Sequence, residues 1–193
     1  MNTKNIEKYL NSFGKYVVKQ ARTNLTKAKK NVNKDLYNSI KFELDVNDNG
    51  FSLDFYMLNY GTFVDKGVSG NKKIQNYVTW DGRNIESPFK YTTKQPPLGI
   101  LEKWIRARGL KGRVDKEWKS AGNKGGQFIS NKSFAFLIGR KIKIDGIKGI
   151  SFFQKPLGLG MKRFPKEMLE MIKEDIYTTM EKDIKDIKVT ITS

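Results

Sequence analysis

Apolar residues recur every three or four positions from residue 6 to 32: Ile6, Leu10, Phe13, Val17, Ala21, Leu25, Ala28 and Val32. That spacing predicts one long amphipathic helix. Its other face carries Lys8, Lys15, Lys19, Arg22, Lys29 and Lys30, so one side packs while the other presents positive charge. The period then switches to two. Ile40, Phe42, Leu44 and Val46 alternate with charged residues, and Phe51, Leu53, Phe55 and Met57 repeat the pattern, which predicts two half-buried strands. Asn47-Asp48-Asn49-Gly50 between them tolerates positive φ and closes a β-hairpin.

Residues 59–97 are broken by glycines and end at Pro96-Pro97, leaving room for one further strand at residues 74–80. The double proline opens a short helix with Leu98, Leu101, Trp104 and Ile105 on one face and Gly109 at its C-terminal cap. Trp104 therefore belongs to the expected core, whereas Trp118 stays open between core and surface. Residues 110–131 mix Lys, Arg, Gly, Ser and Asn and predict a flexible basic loop. A second short helix follows, marked by Phe134, Leu137, Ile138 and Ile142, then Gly146, Gly149 and an extended run at residues 150–153. Phe164, Met168, Ile172, Ile176, Met180, Ile184 and Ile187 predict a long C-terminal helix with Pro165 in its first turn. The tail at 189–192 reads as an edge strand. The sum is one α+β domain over 1–193: a small antiparallel sheet with its hairpin, packed by long terminal helices and two shorter ones.

Composition narrows the chemistry. The chain has 193 residues with no cysteine and no histidine. Disulfides, thiolate metal sites, thiol nucleophiles and the usual general base near neutral pH are thereby removed. Carboxylates or lysines would have to carry any catalysis. Asp65, Asp81 and Glu86 lie in the loop-rich middle, but no spacing among them suggests a metal pair. Gly67-Val68-Ser69-Gly70-Asn71-Lys72 is glycine-rich yet lacks the full phosphate-loop pattern, so it reads as a turn. No cofactor, metal or catalytic residue is expected, and the reading is that of a non-enzymatic protein. An opening without an apolar leader, and no later run of membrane-spanning length, predict neither export nor insertion.

Charge adds direction. Thirty-seven basic residues against twenty acidic ones give a net +17. The excess is local: residues 4–34 hold nine basic and one acidic residue, and 101–124 hold eight and three. Residues 166–188 are slightly acidic, with five and seven. Such asymmetry favours a polyanion or an acidic protein surface as partner. Arg106, Arg108, Lys111, Arg113, Lys116 and Lys119 are the candidates to face DNA or that partner, since basic side chains among aromatics can neutralise phosphates and stack bases.

The order of segments is more specific than any one of them. Tyr60-Gly61-Thr62-Phe63-Val64-Asp65-Lys66-Gly67 precedes Pro96-Pro97, Leu101-Glu102-Lys103-Trp104-Ile105, Phe134-Ala135-Phe136-Leu137-Ile138-Gly139-Arg140-Lys141-Ile142 and Phe152-Phe153 before a terminal helix. This arrangement, from about residue 5 to 187, resembles the tail-completion, or head-to-tail joining, proteins of long-tailed bacteriophages. The resemblance implies a homo-oligomeric ring in the neck of the virion, assembled in the host cytoplasm, with neck, connector and tail-tube proteins as neighbours and packaged DNA in its channel. Tail-terminator and head-closure roles share small α+β folds and stay open beside it, as does free nucleic-acid binding. A ring needs one patch meeting a different patch on the next subunit. Tyr60, Phe63, Asp65, Phe152 and Phe153 are the candidates for such patches, with burial in the core as the competing reading for the aromatics.

Overall fold

In the computed structural model, residues 3–47, 50–114 and 125–185 are described. Helix α1 (Lys4–Lys27) buries Ile6, Leu10, Phe13, Val17, Ala21 and Leu25 along the predicted stripe. It ends at Lys27 rather than at residue 32. The Lys30 N–H reaches back to the Leu25 carbonyl (3.0 Å) and the Lys29 N–H to Thr26 (3.0 Å), with Lys29 left-handed at φ 53°. That is a Schellman closure made without glycine, and it leaves Val32 exposed. Arg22, expected on the charged face, instead donates to the Ile40 carbonyl (2.8 Å) and lies over Tyr37.

A short helix α2 (Asp35–Ser39) leads into strands β1 (Lys41–Asn47) and β2 (Gly50–Tyr56). Their register pairs Phe42 with Phe55, Leu44 with Leu53 and Val46 with Phe51, placing the apolar set on one face as alternation requires. Helix α3 (Gly61–Lys66), strand β3 (Val68–Ser69) and the hairpin β4 (Asn76–Val78) with β5 (Asn84–Glu86) follow. Helix α4 (Leu98–Ala107) closes as predicted, with Gly109 at φ 63° and the Leu110 N–H on the Ile105 carbonyl (3.0 Å). Helix α5 (Asn131–Asp145) is capped by Ser130, whose hydroxyl accepts from the Ser133 N–H (3.1 Å), and runs into β6 (Gly146–Ile147). Helices α6 (Gln154–Met161) and α7 (Phe164–Lys185) complete the described chain.

The fold is α+β, with the hairpin and both long terminal helices in place. Among the described residues the strands form three separate antiparallel pairs, β1–β2, β3–β6 and β4–β5, rather than one sheet. The extended run expected at 150–153 forms no strand, and the unpredicted helix α6 follows it directly; Pro156, Gly158 and Gly160 disguise that helix in the sequence and are the residues it buries. The ends of the predicted loop at 110–131 are also ordered: Val114 donates to Gln127 (2.9 Å), Gly126 to Val114 (3.0 Å) and Ile129 to Gly112 (3.0 Å). Trp118, Lys116, Lys119 and the tail strand at 189–192 lie outside the described residues.

Among the described residues, buried apolar side chains form two clusters. In the larger, Val18, Ala21 and Leu25 of α1 meet Leu36, Ile40 and Phe152, and the hairpin base covers them with Phe42 and Phe55. In the smaller, Leu101 and Ile105 of α4 pack on Ala135, Ile138 and Ile142 of α5. Helix α7 lies antiparallel on the N-terminal half of α1. The Phe164 ring sits 5.1 Å from that of Phe13, and Tyr9 donates to Glu167 (3.1 Å). Farther along, Asp175 accepts the N–H groups of Asn5 (3.1 Å) and Ile6 (3.0 Å). Beyond Asp175, helix α7 continues past the start of α1.

Candidate functional site

The turn carrying Tyr60, Phe63 and Asp65 becomes α3, and its three candidates separate. Asp65 points inward and is buried. Its carboxylate accepts the Phe153 N–H (2.8 Å) where α6 begins, and its own carbonyl accepts the Ser151 N–H (2.9 Å). Burial raises its pKa above the ordinary range, outweighing hydrogen bonds from Phe153 and Gln154 and the charge of Lys66. Asp65 is an internal strut, which corrects its placement as a contact residue. Phe152 is fully buried in the larger cluster, and Phe153 is half-buried with its ring 5.4 Å from Phe55. Both pack the protomer's own interior, so the core reading prevails for Phe152.

Tyr60 and Phe63 stay exposed. Phe63 stands edge-on to Phe89 at 4.5 Å, and with Val68, Tyr91 and Ile147 they line an open apolar groove of about 600 Å³. Tyr60 also borders a second groove, of about 370 Å³, between α4 and the turn that follows α1. Val32, Ile100 and Trp104 supply its apolar wall, and Lys30, Lys34, Lys103 and Arg108 its rim. Trp104 is 39% exposed here, contrary to the expected core position, because Leu98, Leu101 and Ile105 are the α4 residues in the cluster with α5.

The basic candidates are tied into the surface. Arg106 pairs with Glu102 one turn back (3.2 Å), and Arg108 donates to the Lys29 carbonyl. Arg113 lies 4.3 Å over the exposed Phe128 ring, with Lys111 at 5.7 Å. The clearest row of cations is on α1, where Lys8, Lys15 and Lys19 are exposed.

The three acids of the middle region do not converge. Asp65 is internal, Asp81 is held by Thr79 and Arg83 within its own turn, and Glu86 faces solvent on β5. Hydrogen bonding from Thr79, then Arg83, keeps the Asp81 carboxyl below its usual range. Among the described residues no three acids, or other metal-binding side chains, are grouped. The glycine-rich turn serves backbone packing: a Cβ on Gly67 would fall 2.5 Å from the Gly149 nitrogen, and one on Gly70 against the Ile144 carbonyl.

One surface was not foreseen. Past Asp175, Ile176, Tyr177, Met180 and Ile184 are all exposed, the last at 63%. The signal was present in the sequence. A strict four-residue step advances about 40° per step on an α-helix, so five steps carry Ile184 about 200° from Phe164, away from α1. No family model, curated protein or solved structure matches the chain. Among the described residues no helix is long and apolar enough to cross a membrane.

Proposed function

We propose that the chain is a non-enzymatic virion protein of a tailed bacteriophage. It forms a ring at the head–tail junction that completes the tail and joins it to the DNA-filled head. One observation carries the reading: the protomer exposes uncovered apolar surface at both ends of α1, the Trp104 groove near its C-terminus and the α7 stripe beyond its N-terminus. Uncovered apolar side chains grouped in two places suit a subunit that assembles. Two different patches are what a closed ring requires. The order of turn, double proline, Trp-Ile helix and terminal helix supports the placement in the neck.

Removing the chain from its phage is expected to leave filled heads and free tails that purified protein joins in vitro. Infectious, joined particles lacking the chain would overturn the reading. The protein should be found on free tails before joining, and tails made without it should keep their normal length; tails of abnormal length would make it a terminator, and retention on heads alone a closure protein.

The exposed row Lys8, Lys15 and Lys19 favours a second reading, direct binding to nucleic acid. Such a protein would lose duplex affinity log-linearly with salt, in proportion to the phosphates neutralised. Weak duplex binding at physiological salt, alongside joining activity, would exclude it.

A further inference from the structure

We infer that the end of α7 from one copy docks in the Trp104 groove of the next, so that the chain self-associates head to tail. The inference deepens the ring reading above by naming its contact. Three features of the molecule meet in it.

The first is chemical fit. Ile176, Tyr177, Met180 and Ile184 lie within about 100° of arc on the overhanging helix. On the same wheel Glu174 and Glu181 border the stripe on one side, with Lys185 just beyond them, and Asp183 borders it on the other; Lys173 precedes the stripe on its own line, and Lys182 falls on the opposite face. The groove is the complement: an apolar wall of Val32, Ile100 and Trp104 under a rim of four cations, with Asp35 its one acid. An acid-edged apolar helix seats its stripe on the aromatic wall and sets its carboxylates against the lysines.

The second is geometry. Asp175 holds α7 at Asn5 and Ile6, at the N-terminus of α1, whereas the groove begins at Lys30, just past its C-terminus. The 24 residues of α1 span about 36 Å. A protomer therefore cannot fold its own stripe into its own groove. Stripe and groove sit at opposite poles, the arrangement that propagates a heterologous contact.

The third is the size of the exposure. Met180 is 57%, Ile184 63% and Ile100 65% exposed, values that leave large aliphatic side chains in water on both surfaces. Joining the two covers both at once. A symmetric α7–α7 contact would instead set the acidic borders of two copies side by side and leave the groove open.

The test is a mixing experiment on the full chain, read by sedimentation velocity. One variant carries Met180→Glu and Ile184→Glu, the other Ile100→Asp and Trp104→Asp. Wild type is expected to gain mass with concentration, and each variant to weaken association at least tenfold. An equimolar mixture of the two should form a one-to-one heterodimer and nothing larger, because one intact stripe and one intact groove remain. Formation of the heterodimer also shows that each variant is folded. Should a charged variant lose its cooperative melt, Ile184→Ser or Ile100→Ser takes its place.

A wild-type protein that stays monomeric across the concentration range would overturn the inference. So would a folded mixture that stays monomeric, or association abolished by the α7 change and untouched by the groove change. Failure of the neck reading is separate: it is scored on particles, and a heterodimer from a protein that does not join heads to tails would leave this contact standing.

Discussion

At the residue scale, two buried aspartates do the work usually given to local caps. Thr3 precedes α1 without a side-chain bond to the helix backbone, its hydroxyl donating instead to Glu7 (2.6 Å). The first-turn N–H groups are met by Asp175, 169 positions from Ile6, with both carboxylate oxygens engaged. A carboxylate at a helix N-terminus also answers the positive end of the dipole. Asp175→Ala strands those donors and should cost about 1–3 kcal/mol in chemical denaturation, with Asp175→Asn falling between. Asp65 makes a prediction in pH. Its folded pKa lies above the ordinary 3.8, so below that value both states are protonated and its contribution is complete. As pH rises past 3.8 the unfolded chain ionises first, and stability falls until the folded carboxyl has ionised too. Asn cannot titrate. The stability of wild type minus that of Asp65→Asn should therefore decrease with rising pH and then level off, which denaturation at a series of pH values will show.

At the scale of elements, what was legible depended on whether the signal was local. The hairpin was readable because its alternation and its Asn-Asp-Asn-Gly turn lie within one short stretch, and the register Asn47–Gly50 follows from them. Helix α4 was readable for the same reason, with prolines before it and Gly109 after. Trp104 departs from the expected core position because a shared helical face does not say how wide the partner is; the cluster with α5 takes in Leu98, Leu101 and Ile105 but not Trp104. Helix α6 was hidden because its buried side is made of proline and glycine, which read as loop. Its packing explains the composition. A Cβ on Gly158 would land on the Trp80 carbonyl, and one on Gly160 would lie 2.6 Å from the Phe13 ring. Alanine normally favours a helix over glycine by about 1 kcal/mol. Gly158→Ala should nonetheless lower the melting temperature, since backbone rather than a flexible side chain must yield. The end of α1 gives the opposite case. Lys29 is left-handed and exposed, a conformation that costs a non-glycine residue about 1–2 kcal/mol. Lys29→Gly should raise stability by a few tenths to about 1 kcal/mol, the strain relieved being partly offset by the greater freedom of an unfolded glycine.

At the scale of the whole molecule, the antiparallel pair of α1 and α7 has two ends of different character. At one end α1 turns through a lysine-rich segment into the Trp104 groove; at the other α7 projects past its partner. The net +17 conceals a local difference: the groove rim carries four cations against Asp35, whereas the projecting residues 176–185 hold two acids and two lysines. The projecting part, residues 176–185, keeps its helical hydrogen bonds but loses tertiary cover on its apolar side. Isolated helices shorter than roughly 12–15 residues are marginal in water, and helical stability comes mainly from packing. Local opening there should therefore require far less free energy than in the stretch from Phe164 to Asp175, which rests on α1. Amide exchange in dilute protomer is expected to be fast over 176–185 and slow over 164–175, with the change of rate falling at Asp175. Raising the concentration should slow the first set and leave the second nearly unchanged, because assembly supplies the missing cover without altering the α1–α7 contact. Uniform protection along α7 in the dilute protomer would show that the projecting turns are stable without a partner and would count against an uncovered assembling end.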